Sequence, residues 1–458
     1  MAQRDTAGPE RDRPGHPWHE RLELEPELDE LGRPLGVDDR DPLAGRRGED
    51  HPALDVLCAG TVFYDLIFTG LESPPALGRE LWTRGMGSSP GGIANLAVGL
   101  RRLGLRTGLA SCFGEDLYGD FCWETLAGQE GVDLTLSRRC PGWHSPVTVS
   151  LAYDRDRAMV THGHEPPLSA DDLVLAARPD DDVAAGSGGD ARGRAGAGAG
   201  AGTGAGAGAE DGVGARAGDV AGTAGAGTGA PPPARAAVVS LRESLDRWAV
   251  QAADAGTLLI ADVGWDPSGV WSAVVLEQLG RCHAFLPNHA EAMLYTRTDT
   301  PRDALRRLAD RVPVAVVTLG PQGAIAVDST TGEDVTVPSV PIEALDATGA
   351  GDIFVAGFTV ATLAGWTLRH RVAFAALTAG LSVRHFGGSL SAPGWADVDA
   401  WWRSTRAAAR HGDWSARELA SAYGFLDDVV PHAADGRDPD PSLVARAPVT
   451  LGFRERRS

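Results

Sequence analysis

The sequence lacks several features that define large classes of proteins. It has few cysteines, which are widely spaced and form no CxxC pair: Cys58, Cys112, Cys122, Cys140 and Cys282. This pattern indicates neither a disulfide framework nor a zinc site, so we expect a reduced, cytoplasmic protein. The chain has no run of about 18 apolar residues, and its charged, proline-rich N-terminal region contains no apolar signal segment. We therefore expect neither export nor a membrane span.

Positive charge is also scarce. The 458 residues include 42 Lys and Arg against 62 Asp and Glu, which gives a formal charge of -20. Because nucleic acids and anionic membranes attract positive surfaces, we expect neither as a partner. An acidic protein can still bind phosphate locally. The sequence has no GxxxxGK[ST] motif, so a phosphotransferase built from this chain would not be a P-loop enzyme.

Two segments are predicted not to fold. Residues 1–52 are polar and rich in Pro, Gly and charged side chains, which predicts a disordered leader. Residues from about 178 to 234 contain a Gly/Ala tract that ends in prolines, which predicts a flexible, disordered insertion in a surface loop. The GxGxxG matches inside this tract are discarded, because no strand precedes them and no helix with a ribose-binding acid follows. The folded domain is predicted over 53–395, and residues 396–458 are predicted to be a helical extension without an assigned role.

Short apolar runs alternate with helical patterns through the predicted domain. The run "LDVLCAG" is followed later by the helical "IANLAVGLRRLG", and "TLLIADV" by "WSAVVLEQLG". This rhythm predicts an α/β fold with a mostly parallel sheet and helices on both faces. Residues 146–161 alternate instead around a charged turn, which predicts an antiparallel hairpin. This hairpin indicates a small β lid on the core, and the lid strands are predicted at about 62–90 and 145–163.

The stretch "DATGAGD", residues 346–352, has a carboxylate at each end, small residues in its middle and an apolar helix after it. The N–H groups of Gly349, Ala350 and Gly351 would be open to an anion at a helix N-terminus, which predicts a phosphate site. Asp352, in the first helical turn, would lie beside that phosphate as a candidate proton acceptor. A glycine-rich turn with a first-turn helix acid is the structural alternative.

A second pattern suits a polyol. In "SPGGIANLA", Gly91 and Gly92 turn into a helix that carries Asn95 in its first turns. Glycines allow close approach to the backbone, and an Asn side chain can both donate to and accept from neighbouring hydroxyls. Asp65 lies just past the first strand, where ligands bind in open α/β sheets. An ordinary turn followed by a helix explains the glycines equally well.

Two further patterns suit a nucleotide. In "LPNHAEA", Asn288 and Glu291 lie three residues apart at the start of a helix, which suits a hydrated Mg²⁺ and its phosphates. A helix N-cap with a capping-box Glu is an equally good interpretation. In "VVTLGPQGA", a strand ends at a turn that could receive a base or ribose edge and that contains Thr318, Gly320 and Gly323.

Taken together and in this order, "GGIANLAVGLRRLG", "LPNHAEA", "VVTLGPQGA" and "DATGAGDIFVAGF" resemble the ribokinase-like carbohydrate kinases, the PfkB family. The resemblance covers about residues 53–395 apart from the insertion. It implies a ribokinase-like three-layer sandwich with a small β lid, and ATP- and Mg²⁺-dependent phosphorylation of a hydroxymethyl group of a sugar or sugar derivative. Asp352 would be the base, and the N–H groups of Gly349–Gly351 would hold the transferring phosphoryl group.

The same resemblance implies roles for the remaining motif residues. Substrate contacts fall on Asp65, Gly91, Gly92 and Asn95, and nucleotide contacts on Asn288, Thr318, Gly320 and Gly323. Glu291 would organise Mg²⁺ through water, and a monovalent cation such as K⁺ would lie near Asp346 and Thr348. Three departures weaken the match: Ala347 replaces a threonine beside the cation site, the glycine motif is one residue shorter and carries Ile93, and Ala376 replaces an asparagine near the adenine.

Two alternatives to a sugar kinase stay open. A nucleoside kinase on the same scaffold would phosphorylate a 5′-hydroxyl, which is also a hydroxymethyl group. A regulator that binds sugar or nucleotide without catalysis would not need the base, so the presence of Asp352 argues against it. The resemblance also allows a homodimer through the lid, because lid strands in that family can pair between subunits.

Overall fold

The computed structural model describes residues 40–43, 45–48, 51–153, 156–176 and 229–430. The predicted leader up to residue 39, nearly all of the Gly/Ala insertion, and residues 431–458 of the predicted extension lie outside the described residues. Within the described part of the chain, no helix is long and apolar enough to cross a membrane.

A sheet of eight strands forms the centre of the molecule. Its strands are β1 (Leu54–Ala59), β4 (Thr107–Ala110), β9 (Ala234–Ser240), β10 (Leu258–Asp262), β11 (Ala284–Phe285), β12 (Val314–Thr318), β13 (Ala324–Asp328) and β14 (Glu333–Val337). The spatial order is β14-β13-β12-β11-β10-β9-β1-β4. Neighbours from β12 to β4 are parallel, and β13 and β14 add an antiparallel hairpin at one edge. The carboxyl ends of the parallel strands therefore meet at one edge, where the motifs of the site converge.

A second, four-stranded sheet forms the lid. It contains β2 (Val62–Thr69), β3 (Gly85–Gly92), β7 (Val147–Tyr153) and β8 (Asp156–His162) in the order β3-β2-β7-β8. β7 and β8 are antiparallel, and β2 pairs with β3 antiparallel and with β7 parallel. A small pair of parallel strands, β5 (Cys112–Gly114) and β6 (Arg138–Cys140), lies apart from both sheets. The predicted small β lid is confirmed, and so is its antiparallel hairpin of β7 and β8, whereas the pairing of β2 with β7 is parallel.

Helices cover both faces of the central sheet. They are α1 (Ile93–Arg102), α2 (Leu117–Trp123), α3 (Ala170–Val174), α4 (Arg247–Asp254), α5 (Val274–Glu277), α6 (His289–Thr296), α7 (Pro301–Ala309), α8 (Ala350–Leu363), α9 (Leu368–Ser382), α10 (Trp395–Arg410), α11 (Trp414–Ala422) and α12 (Leu426–Val429). One apolar cluster joins α1, α8, α9 and α10 to the sheet, and a second joins α4, α6 and α7 to its other face. This arrangement confirms the predicted three-layer α/β sandwich.

Helix α8 is apolar on every side, which explains its central position. All of its residues from Ile353 to Leu363 are buried. It packs against α1 at Gly99, where an added Cβ would lie 2.9 Å from Ile353 Cδ1. Because α8 is enclosed, its N-terminus is held in a fixed position at the edge of the sheet.

The folded domain begins earlier than residue 53. Leu43 is fully buried in the core, and Arg40 is 2% exposed. Arg47 forms ion pairs with Asp41 and with the buried Asp55 of β1. The predicted leader is therefore too long at its C-terminal end, because one apolar residue and an arginine that pairs with nearby carboxylates do not stand out in a polar composition.

The chain continues into the core beyond residue 395. Trp402 of α10, Tyr423 and Leu426 are buried within the same apolar cluster as α8 and α9. The predicted helices of the extension are thus part of the domain as far as the structure describes them. Before β9, the backbone N–H of Gly229 donates to Leu175 O at 3.0 Å, so the two ends of the predicted insertion lie side by side.

Candidate active site

The N-terminus of α8 forms the centre of the site. Gly349 is its N-cap, with a left-handed φ of 75°, and its carbonyl accepts the first intrahelical bond from Ile353 N at 2.9 Å. Ala350 N–H donates to Ala347 O over a long 3.3 Å, and Gly351 is exposed, with nothing within 4 Å of an added Cβ. The first-turn N–H groups have no acceptor inside the helix, so this turn presents donors and open space to an anion.

Asp352 is held by a residue from the other end of the domain. Asn95 Nδ2 donates to Asp352 Oδ2 at 2.9 Å, although the two residues are 257 positions apart in the chain. Two glycines pack on the Asn95 amide: an added Cβ would lie 3.2 Å from its Cγ at Gly349 and 2.5 Å from its Oδ1 at Gly388. The structure therefore places Asn95, predicted as a substrate contact, against the predicted base. Gly388 was not predicted, although it forms a Gly-Gly pair in "HFGGSL".

The glycine pair at the end of β3 is required by the protein's own packing. A Cβ at Gly91 would lie 1.9 Å from Asp65 Oδ2 on β2. Gly92 has a φ of 62°, and a Cβ there would lie 2.5 Å from Thr61 O. These contacts place Asp65, which is 7% exposed, beside the start of α1. Asn95 follows Gly92 by three residues, in the first turn of that helix. The predicted substrate residues are thus brought to one side of α8.

Asp346 shapes the start of the loop that leads into α8. Its Oδ1 accepts from Thr348 N at 2.9 Å and from Thr348 Oγ1 at 2.6 Å, and its Oδ2 accepts from Gly387 N at 3.2 Å. Asp346 and Thr348 are both buried. The carboxylate therefore ties the α8 loop to the loop that carries Gly388. Whether this pair also binds a monovalent cation stays a prediction.

Asn288 and Glu291 form a reciprocal capping box at the start of α6. Asn288 Oδ1 accepts from Glu291 N, and Glu291 Oε2 accepts from Asn288 N, both at 3.0 Å. The structure therefore contains the helix N-cap with a capping-box Glu that was the alternative interpretation of this motif. Burial raises the pKa of Glu291 above its ordinary value. Thr318 N–H donates to Pro287 O at 3.1 Å, which places the end of β12 beside this cap.

The turn after β12 uses its two glycines differently. Gly323 has a φ of 96°, and an added Cβ would lie 2.0 Å from Val337 O, so no larger residue fits there. Gly320 has a φ of 58° with nothing within 4 Å, and it is exposed. Gly323 therefore shapes the turn, whereas Gly320 leaves open space beside Thr318.

Asp262, at the carboxyl end of β10, was missed by the sequence reasoning. Its Oδ1 accepts from Val263 N at 2.8 Å. Burial, together with the negative charges of Asp352 and Glu291, raises its pKa well above the ordinary 3.8. The charges of Asp352 and Glu291 thus act on Asp262 across the site. The available signal was its position as the last residue of the apolar run "LLIAD", at the edge where ligands bind in open α/β sheets.

Comparison with known proteins confirms the resemblance found in the motifs. Residues 237–395 match the model of the pfkB family carbohydrate kinases. The chain is 32% identical over 132 residues to a ribokinase of Schizosaccharomyces pombe, covering 27% of this chain and 41% of that protein. It is 34% identical over 92 residues to a cytidine kinase of Thermococcus kodakarensis, covering 20% of this chain and 32% of that protein. The matches thus span less than half the length of these relatives.

The fold is shared over a much greater length. The solved structure of Arabidopsis thaliana ribokinase complexed with ribose and ATP superimposes with a TM-score of 0.53 and 20% identity. The superposition covers 75% of this chain and 96% of that one. At this level of identity the likeness shows the fold, which is that of the ribokinases.

Proposed function

We propose that this chain, whose residues 237–395 match the model of the pfkB family of carbohydrate kinases, is an ATP-dependent kinase that phosphorylates a hydroxymethyl group of a sugar or sugar derivative. One observation carries the proposal. The Asp352 carboxylate, held at 2.9 Å by Asn95, lies in the same helical turn as the open backbone of Gly351. A proton acceptor and an anion site are thereby combined in one rigid turn.

These groups are sufficient for the protein's part in phosphoryl transfer. Bound Mg-ATP supplies the γ-phosphoryl group and part of the charge neutralisation. The reaction then depends on positioning and on electrostatic stabilisation. The first-turn N–H groups at the positive end of α8 donate to the oxygens of the transferring group. Asp352 accepts the proton of the attacking hydroxyl, and the Asn95 amide keeps that carboxylate in one orientation.

The acidic surroundings support a divalent cation at the nucleotide. Asp262, Glu291 and Asp352 would together repel the phosphates of ATP, because each carries a negative charge when ionised. Mg²⁺ keeps most of its waters and needs few protein ligands. We assign Glu291 and Asp262 to hold the hydrated ion.

The remaining motifs are assigned around these groups. Asn288, Thr318, Gly320 and Gly323 would border the nucleotide, since Asn288 and Thr318 are joined by an isolated bridge and Gly320 faces open space. Asp65, Gly91, Gly92 and Asn95 would border the substrate. Asp346 and Thr348 would bind K⁺ if a monovalent cation is used, with Ala347 contributing no hydroxyl there.

The proposal is tested by ADP release from Mg-ATP across pentoses, hexoses, sugar phosphates, sugar acids and nucleosides. We expect turnover of one sugar class, and Asp352→Asn should lower kcat by about 10³-fold because the proton acceptor is lost. ATP binding, measured by calorimetry, should stay nearly unchanged. Asp303→Asn is the matched control, because Asp303 is also a first-turn acid, at the start of α7. Near-normal turnover of Asp352→Asn would remove this residue from the mechanism.

A nucleoside kinase is the second candidate function. The similarity to a cytidine kinase favours it, as does the equivalence of a nucleoside 5′-hydroxyl to a sugar hydroxymethyl group. The same panel separates the two, because turnover confined to nucleosides would replace the sugar assignment. ATP binding with no turnover of any compound would favour a regulator instead.

A further inference from the structure

Three buried side-chain oxygens near the site have no hydrogen-bond partner among the described residues. They are Ser89 Oγ on β3, Ser150 Oγ on β7 and Asn95 Oδ1 on α1. Their residues are 0%, 3% and 5% exposed, respectively. Burial of a hydroxyl or amide oxygen without a partner destabilises a folded protein, and such atoms are rare in native structures. Their concentration here requires an explanation.

Strand register places both serines on the face of the lid that carries Asp65. Ser89 pairs directly with Asp65, so their side chains point to the same face. Ser150 pairs with Ile67, which lies two residues along β2 from Asp65 and therefore shares its face. The two unpartnered hydroxyls thus lie on the same face of the lid as Asp65, the carboxylate that is predicted to contact the substrate.

This face of the lid lies against the loop that contacts Asn95. An added Cβ at Gly387 would lie 3.6 Å from Ser89 Oγ and 3.8 Å from Ile67 Cδ1. Gly388, the next residue, packs on the Asn95 amide, as described above. The third unpartnered oxygen, Asn95 Oδ1, is therefore next to the loop that Ser89 contacts. Ser89 and Asn95 are thus linked through this loop, Asn95 binds Asp352, and Ser150 shares the lid face of Ser89.

Neighbouring hydroxyls in the same sheet are satisfied. Ser88, which points to the opposite face of β3, accepts from Tyr64 Oη at 2.7 Å. Thr148, across from Asp65 on β7, shares a hydrogen bond with Thr161 Oγ1 at 3.1 Å. Ser150 is paired instead with Met159, whose side chain offers no comparable partner. The lid thus pairs its hydroxyls elsewhere and leaves those of Ser89 and Ser150 available.

We propose that Ser89 and Ser150 are specificity-determining residues that hydrogen-bond the hydroxyl groups of the substrate. This inference rests on the proposed function and adds two contacts to those assigned to Asp65 and Asn95. A hydroxyl-rich sugar or polyol fits this face, because each hydroxyl can both donate and accept. The flat apolar face of a nucleobase would leave both serines unpaired, so the substrate turns a polyol portion toward the lid.

The test compares Ser89→Ala and Ser150→Ala with the matched control Ser88→Ala. For each of the first two variants we expect a rise in KM for the sugar of about ten-fold, the contribution of one hydrogen bond, with a thermal midpoint of the ligand-free protein that is unchanged or higher. The control should show the reverse: an unchanged KM and a lower midpoint, because it loses the bond from Tyr64. An unchanged KM in both Ser89→Ala and Ser150→Ala would overturn the inference and indicate that ordered water satisfies these oxygens.

A readout without catalysis separates this inference from the proposed function. If no compound supports ADP release, the proposed function fails, and the thermal midpoint of wild-type protein is measured with ribose, fructose and glucose in the absence of ATP. A polyol-induced rise in midpoint that is lost in Ser89→Ala and Ser150→Ala but kept in Ser88→Ala would still support the lid contacts. No rise with any polyol, or a rise that the two variants retain, would contradict them.

Discussion

The surroundings of Asp262 in the candidate site disfavour its ionisation. Burial has the largest effect on its pKa, and the negative charges of Asp352 and Glu291 raise it further. Functional sites often combine burial and like charges in this way. The cost falls on the free protein, and the proposed hydrated Mg²⁺ would relieve it.

Asp262→Asn should therefore stabilise the free protein at neutral pH. Because the folded-state pKa lies above the ordinary 3.8, the wild type loses stability as pH rises from about 4 through the raised pKa, while the amide does not titrate. Thermal unfolding from pH 4 to 8 should show a gain for the variant that grows with pH and vanishes near pH 4. The same variant should bind Mg-ATP more weakly.

Asp254→Asn is the control for this series, because Asp254 is exposed on α4 and pairs only with the exposed Arg281 among the interactions resolved there. Its stability should differ from wild type by less than about 0.5 kcal/mol across the pH range. A gain for Asp262→Asn that is constant with pH would show that its ionisation is not the source of the penalty.

The lid and α1 meet at the end of β3, where Gly91 lies against Asp65. Gly91→Ala would place a Cβ 1.9 Å from Asp65 Oδ2, so the carboxylate must move. We expect a loss of about 1–3 kcal/mol in the free energy of unfolding and a rise in KM for the substrate, with ATP affinity little changed. Urea unfolding and steady-state kinetics measure the two effects.

Gly280→Ala provides the comparison at this scale, because nothing lies within 4 Å of an added Cβ there and its φ is not in the left-handed region. It should match or slightly exceed the stability of the wild type. If Gly91→Ala behaves like Gly280→Ala, the contact between Gly91 and Asp65 does not position the substrate residues.

The lid also has exposed apolar side chains. Leu77 and Trp82 lie in the connection between β2 and β3, and Met159 and Val160 lie on the edge strand β8. Exposed edge strands are available for pairing with a second chain. A homodimer through the lid stays a prediction, which the molecular mass in solution would test.

At the scale of the whole molecule, the Gly/Ala insertion leaves and re-enters the domain at one point. Leu175 O and Gly229 N are joined by a 3.0 Å hydrogen bond. Replacing residues 177–228 by a short glycine linker should therefore preserve kcat and KM. Shortening the connection about ten-fold lowers the entropic cost of closing it, which should raise stability by at most about 2 kcal/mol.

The control for the deletion is a variant with the same number of residues in that segment but a scrambled order. It should match the wild type in stability and kinetics if only length matters. A deletion variant that folds but loses activity would show that the insertion contributes to function and would contradict the interpretation as a tolerated loop.

The sequence predicted the fold class and the positions of the four motifs because these depend on local rules. The alternation of apolar runs with helical patterns indicates parallel strands and helices. The stretch "DATGAGD" predicts where α8 begins and that its first N–H groups are open. The capping box of Asn288 and Glu291 was likewise one of two interpretations available from spacing alone, since its bonds join residues three apart. Each of these features depends only on residues within one helical turn or one strand.

The sequence alone therefore determined the order of strands and helices in the domain and the residue at which α8 begins, because neighbouring residues decide both. Tertiary structure decided which groups meet there. The bond from Asn95 to Asp352, the charges of Glu291 and Asp352 on Asp262, and the unpaired hydroxyls of Ser89 and Ser150 all depend on strand order and register. Contacts between residues far apart in the chain follow from how the elements pack, and no local pattern of spacing records them.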